Sequence, residues 1–150
     1  MAADDETFLI SMRSDNSGGA TVFDAQAYKV AGLSPTGATP ILMSAIGEAA
    51  SSRRVVFVSH GFNVPWERGI ISAARMHSDL RGQNVPFPLG ADSLFVGVLW
   101  PGDWWIPAIN YPTEAEDAVN SGRRLAAAIN LHFRGARRDC ARRRRWIARP

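Results

Sequence analysis

The chain of 150 residues has a single cysteine, Cys140, and a single lysine, Lys29. One cysteine closes no disulfide within the chain, which fits a reducing compartment, and a cytoplasmic location is the expectation drawn from it. No stretch approaches the roughly 18 apolar residues that a membrane span needs. The first six residues, Met-Ala-Ala-Asp-Asp-Glu, are acidic where a secretory leader would be basic. Three scattered histidines, His60, His77 and His132, give no metal-ligand spacing with the one cysteine, so neither a metal nor a cofactor is expected.

What is present suffices for one core. A hydrophobic content of 46% over this length allows one domain, or a piece of a larger one. The net charge of +3 is unevenly divided. Residues 1–133 carry nine basic and thirteen acidic side chains, a net −4, whereas residues 134–150 carry eight arginines against Asp139, a net +7. The pI of about 9.7 therefore belongs to the tail. A nucleic-acid partner could be argued from residues 134–150 alone, and the body, residues 1–133, argues against one.

Along the body, "FLISMR" (Phe8–Arg13) and "ATVFD" (Ala20–Asp24) flank the turn formers "SDNSGG", a pattern that predicts two antiparallel strands. "SPTGATP" (Ser34–Pro40) reads as a loop and "ILMSAIGEAA" (Ile41–Ala50) as a short helix. Val55–Val58 and Leu94–Trp100 are apolar without alternation, the pattern of strands covered on both faces. Between them Pro65 suits a first helical turn, and Ile70, Ala73, His77 and Leu80 recur at helical spacing as far as Gly82. Strand, helix and strand at this spacing predict a parallel crossover unit. Thr113 with Glu116 makes a capping-box pattern, after which Ala115, Ala118, Gly122, Leu125, Ile129 and Phe133 trace one apolar face. Another buried strand should follow, and "RGARRDCARRRRWIARP" stands there instead.

Ser59-His60-Gly61 occupies a strand's carboxyl end, where an open α/β sheet binds its ligands. A glycine there permits a close turn, and the amides of Phe62 and Asn63 are placed to meet developing negative charge. The plain alternative is a turn that merely ends the strand.

Taken together, "VVFVSHGFN", a helix, "SLFVGVLWPG" and the helix "TEAEDAVNSGRRLAAAINLHF" resemble the α/β-hydrolase superfamily. Within it they are similar to a branch of uncharacterised hydrolase-like proteins with a His-Gly-Phe-Asn loop and a Trp-Pro after the next strand. The resemblance covers Arg54–Phe133. It implies an incomplete α/β fold, a three-layer and mainly parallel sheet with an antiparallel N-terminal strand pair. It also implies serine-dependent hydrolysis of a small-molecule ester or acyl substrate. The Phe62 amide would be one donor of the oxyanion hole, with His60 and Gly61 shaping the turn. The nucleophile would be a serine in a G-x-S-x-G turn after the next strand, followed by an acid and a histidine. Residues 1–150 contain no such turn, so the chain is expected to stop short of its nucleophile and to be inactive.

The arginine-rich tail begins where that strand should. Read one base later, arginine codons of the CGN type that precede a C become codons for Val, Ala, Gly or Asp. Trp146 before Ile147 becomes glycine, Ile147 becomes serine if its codon is ATC, and Arg145 and Arg149 become glycine if each ends in G. A shifted frame is thus compatible with G-G-S-x-G over Arg145–Arg149, and residues 134–150 are expected to be frameshifted or disordered.

Asn63, Trp100, Trp104 and Trp105 are candidate substrate-pocket residues, equally explained by loop packing. His77 is expected to be a hydrogen-bonded core residue, and His132 to meet a helix dipole. Asp103, Glu114, Glu116 and Asp117 are assigned no catalytic part, Asp117 being placed in a helix first turn where acids stabilise. Two competing readings stand beside the hydrolase. In one, the tail tracks phosphates of DNA or RNA with Trp146 stacking on a base; in the other, the scaffold binds without catalysis.

Overall fold

Two short strands rich in branched residues, one near the N-terminus and one at mid-chain, form the centre of a mixed sheet. A computed structural model describes residues 6–13, 22–32, 37–61, 64–82, 88–101 and 111–133, with the backbone alone for 111–114. The elements in chain order are β1 (Thr7–Ser11), β2 (Gln26–Val30), β3 (Ala38–Ile41), α1 (Met43–Ala50), β4 (Arg54–Ser59), α2 (Trp66–Arg81), β5 (Ser93–Leu99) and α3 (Tyr111–His132). The sheet order is β3-β2-β1-β5-β4. β1 joins β5 and β5 joins β4 in parallel, while β1–β2 and β2–β3 are antiparallel. This is the α/β architecture expected, a mixed sheet with parallel pairs on one side and an antiparallel N-terminal side.

Alternation along the central strands separates the two faces. Ile10 with Leu94, Val96 and Val98 packs among α1 and the last residues of α3, whereas Leu9, Phe95 and Leu99 pack against α2. β5 is buried at all seven positions, which explains its unbroken apolar run. Two glycines set how closely the layers approach. A Cβ on Gly97 would lie 2.6 Å from Leu9 Cδ2 and 2.9 Å from Ala73 Cβ, so the bare backbone admits α2 to the sheet. A Cβ on Gly47 would collide with the His132 carbonyl, which fixes the crossing of α1 and α3.

Five expectations change. The antiparallel partner of β1 is Gln26–Val30 rather than Ala20–Asp24. Buried Ala27, Tyr28 and Val30 give β2 the apolar contact a strand needs, and Phe23 instead sends its amide to the Met12 carbonyl. Ala38–Ile41, read as loop and helix start, is an edge strand, the one place in a sheet where Pro40 costs no ladder bond.

Among the described residues β4 is not covered on both faces: it lies at the opposite edge of the sheet, with Val55, Val56 and Val58 half-buried and Phe57 36% exposed. α3 begins at Tyr111, with Pro112 inside its first turn, so Thr113 is not its N-cap; the side chains of Thr113 and Glu114 lie outside the described residues. Of its expected stripe Phe133 is buried and Leu125 and Ile129 pack half-buried on the core, whereas Ala115, Ala118 and Gly122 are exposed and Ser121 and Ala128 are buried instead. No helix among the described residues is long and apolar enough to cross a membrane.

Candidate active site

The carboxyl ends of parallel β4 and β5 lie side by side, with Ser59 opposite Val98. His60 leaves β4 here and is held entirely by neighbouring groups. The Trp100 amide donates to His60 Nε2 at 3.1 Å, and the Trp100 indole Nε1 donates to the His60 carbonyl at 3.2 Å. The two rings stack within 6° of parallel, 5.9 Å between centroids. Because Nε2 accepts, the ring proton sits on Nδ1, which donates to the Gly61 carbonyl at 2.6 Å. With both nitrogens engaged by the main chain, His60 ties one strand end to the other and has no free lone pair for a general base.

Gly61 is exposed, and a Cβ there would meet nothing within 4 Å. Neither sterics nor a positive φ demands glycine at this place. A side chain would instead project into open space beside the bend. Phe62 and Asn63 lie outside the described residues, as do Asp103, Trp104 and Trp105.

On the far side of the bend the chain is anchored again. Arg13, 5% exposed just past the end of β1, donates from a guanidinium nitrogen to the Val64 carbonyl at 2.7 Å. Sequence reasoning did not assign Arg13 a part, although an arginine closing the apolar run "FLISM" is the signal that could have drawn attention to it. The bend is thus fixed at both ends, by Trp100 on His60 and by Arg13 on Val64.

Beside the bend is a cavity of about 260 Å³, lined by the ends of β4 and β5 and by the facing side of α2. Val58, Val64, Ala73 and Leu99 make it apolar, and Ser59 and Ser72 are its hydroxyl-bearing residues. The bend residues His60 and Gly61 line it, whereas Trp100 does not. Trp100 therefore serves the turn in this structure rather than walling that space.

The other ionisable candidates fall elsewhere. His77 is buried, stacks on Phe95 with 4.9 Å between centroids, accepts from Arg81 Nε at 3.1 Å through Nε2 and meets Thr7 Oγ1 through Nδ1 at 2.9 Å. It belongs to the core at the other end of the sheet. Asp117 is the seventh residue of α3 rather than a first-turn acid. Burial, and secondly the Glu116 carboxylate, push its carboxyl above the usual range. One turn on, Ser121 Oγ is buried without a hydrogen-bond partner among the described residues. Among the described residues no group of three or more His, Cys, Asp or Glu could hold a metal ion.

Residues 38–138, more than half of the chain, match the family model described as an alpha/beta hydrolase of unknown function (DUF900). No curated protein and no solved structure matches the chain.

Proposed function

The chain belongs to this family of alpha/beta hydrolases, and from that premise we propose that its chemistry is serine-dependent hydrolysis of small-molecule esters or acyl groups, with the bend after β4 as the oxyanion loop. A serine oxygen attacks the substrate carbonyl carbon, the π electrons move onto oxygen, and the Phe62 amide donates to that oxyanion. Collapse expels the leaving group, which takes up the proton lost by the serine hydroxyl; water then adds to the acyl carbon, the acid is released and a proton of the water returns to the serine. A single oxyanion donor contributes about 2.7–4 kcal/mol to such a transition state. The observation that supports this reading is the bend itself: His60-Gly61 at the carboxyl ends of parallel strands, pinned at both sides and opening onto an apolar cavity.

Residues 1–150 carry no G-x-S-x-G elbow, and no residue among them is assigned as nucleophile, base or acid. Beyond the family match, which runs to residue 138, Arg142–Pro150 are an out-of-frame reading of the strand and elbow that complete the site.

Two linked measurements test this. The next reading frame of the gene beyond codon 140 should encode a serine elbow and, later, a histidine; a stop codon or unrelated sequence there removes the frame hypothesis. The frame-restored protein, treated with a serine-reactive phosphonate, should carry one adduct on that serine, and absence of any adduct argues for a binding protein. In the same protein Gly61→Val should lower kcat at least tenfold while the urea midpoint stays unchanged, because the added side chain meets open space. The nucleic-acid reading, favoured by eight arginines in seventeen residues, predicts salt-sensitive binding of DNA or RNA that is lost on deleting 134–150.

A further inference from the structure

We propose that Arg13 is a positioning residue of the bend after β4: a buried cation that sets where the chain enters α2 and thereby aims the main-chain donors of the bend, a role that rests on the hydrolase reading above. Arginine is among the residues least often buried, because its charge and its donors have to be met inside the protein. Arg13 is nevertheless 5% exposed. The fold keeps it just past the carboxyl end of β1, at the end of the sheet where open α/β folds bind their ligands.

The main chain that carries this side chain is tied down. Met12 donates its amide to the Leu99 carbonyl at 2.9 Å and accepts from the Phe23 amide at 2.8 Å, and the Arg13 amide donates to Oγ of the buried Ser11 at 3.1 Å. From that base the guanidinium crosses the exit of β5, which lies between β1 and β4, and donates to the Val64 carbonyl at 2.7 Å. Pro65 is the N-cap of α2, and its carbonyl receives the first helical amide, that of Gly69, at 2.8 Å. The Val64 carbonyl precedes the cap and stands outside the helical ladder, so the charge-assisted bond from Arg13 is what orients it.

The two ends of the bend converge over one helical residue. A Cβ on Gly69 would lie 2.9 Å from Leu99 Cδ2, 3.7 Å from His60 Cδ2 and 3.8 Å from Val64 Cγ1, so His60 and Val64 both rest on the first turn of α2. Gly61, Phe62 and Asn63 have to span that short gap. With His60 already fastened by Trp100, the Val64 anchor decides the path left to them. A displacement of about 1 Å at a catalytic group is enough to lower turnover roughly 100-fold. Arg13 does not line the cavity, so it acts through Val64 rather than on substrate. The property at work is the planar fork that reaches a distant carbonyl, which lysine does not reproduce although it keeps the charge.

In the 150-residue chain, Arg13→Lys should move the amide resonances of Phe62 and Asn63 and leave those of Leu9 and Phe95 in place. In the frame-restored protein the same variant should lower kcat roughly tenfold or more with KM unchanged. Arg13→Ala should fall further and regain turnover on addition of millimolar guanidinium, which should not accelerate the parent. Should Arg13→Ala fail to fold, Arg13→Lys decides alone; if neither folds, Arg13 belongs to the core and the proposal is overturned. Unmoved Phe62 and Asn63 resonances overturn it too, as does an Arg13→Lys turnover equal to the parent's, or a raised KM at unchanged kcat. A frame-restored parent that takes no phosphonate adduct while those resonances do move contradicts the hydrolase reading, and the catalytic role of Arg13 falls with it. An adduct with unmoved resonances contradicts this proposal alone.

Discussion

At the scale of single residues, His60 shows how a side chain that resembles a catalyst acts as a fastener. Its ring closes one hydrogen bond to its own chain and one to the neighbouring strand's exit, and stacks on Trp100. His60→Ala leaves the Trp100 amide without its acceptor in a half-buried place. It should lower stability by about 1–3 kcal/mol, read as a shifted urea midpoint together with a moved Trp100 indole proton resonance. An unmoved indole resonance would contradict this role.

Asp117 is the reverse case, a charge the fold holds at a cost. Its carboxyl is pushed above the usual range by burial and by Glu116, so the folded chain binds that proton more tightly than the unfolded one does. The penalty is absent below the ordinary carboxylate value of about 4. It grows as pH rises through the folded-state value. Asp117→Asn should therefore be more stable than the parent at neutral pH, with the difference closing on acidification. Urea midpoints across pH check this, and a pH-independent difference would contradict it.

At the scale of elements, what could be read from the chain depended on how directly local pattern decides local structure. The β4–α2–β5 crossover was legible because Val55–Val58 and Leu94–Trp100 are unalternated apolar runs and Ile70, Ala73 and His77 repeat at helical spacing between them. The edge position of β4 was not legible, since an apolar run reports what a strand is able to bury and not what lies beside it. β3 was missed for a related reason: proline and glycine around Ala38–Ile41 signal a loop, and only a place at the sheet edge makes Pro40 compatible with a strand. The start of α3 slipped because Thr113 and Glu116 fit a capping pattern by type, while Pro112 already fits the first turn of a helix begun at Tyr111.

Glycine packing, invisible to periodicity, gives the sharpest prediction at this scale. Gly97→Ala puts a methyl group 2.6 Å from Leu9 Cδ2 and 2.9 Å from Ala73 Cβ between β5 and α2, and should cost about 1–3 kcal/mol. Gly122→Ala, with nothing within 4 Å on α3, should instead raise stability by about 1 kcal/mol. Thermal unfolding of the two variants should move in opposite directions, and a shared direction would refute the packing argument.

For the whole molecule, membership of the alpha/beta hydrolases agrees with the sheet order and with the location of the bend at the carboxyl ends of parallel strands. The sequence motif located that place, and the structure added the anchors on its two sides: Trp100 on His60 and Arg13 on Val64. Arg13 was not legible because its partner is 51 residues away and is a main-chain carbonyl, a contact that no side-chain pattern records.

The central claim is that this bend offers a main-chain donor to a substrate oxygen. Amide hydrogen exchange at Phe62, resolved by NMR in the 150-residue chain, tests it most directly. An open donor predicts rapid exchange at Phe62, while the Trp100 amide, bonded to His60 Nε2, exchanges slowly. A Phe62 amide protected as strongly as that of Trp100 would mean that its hydrogen is already engaged within the protein, and would contradict the account.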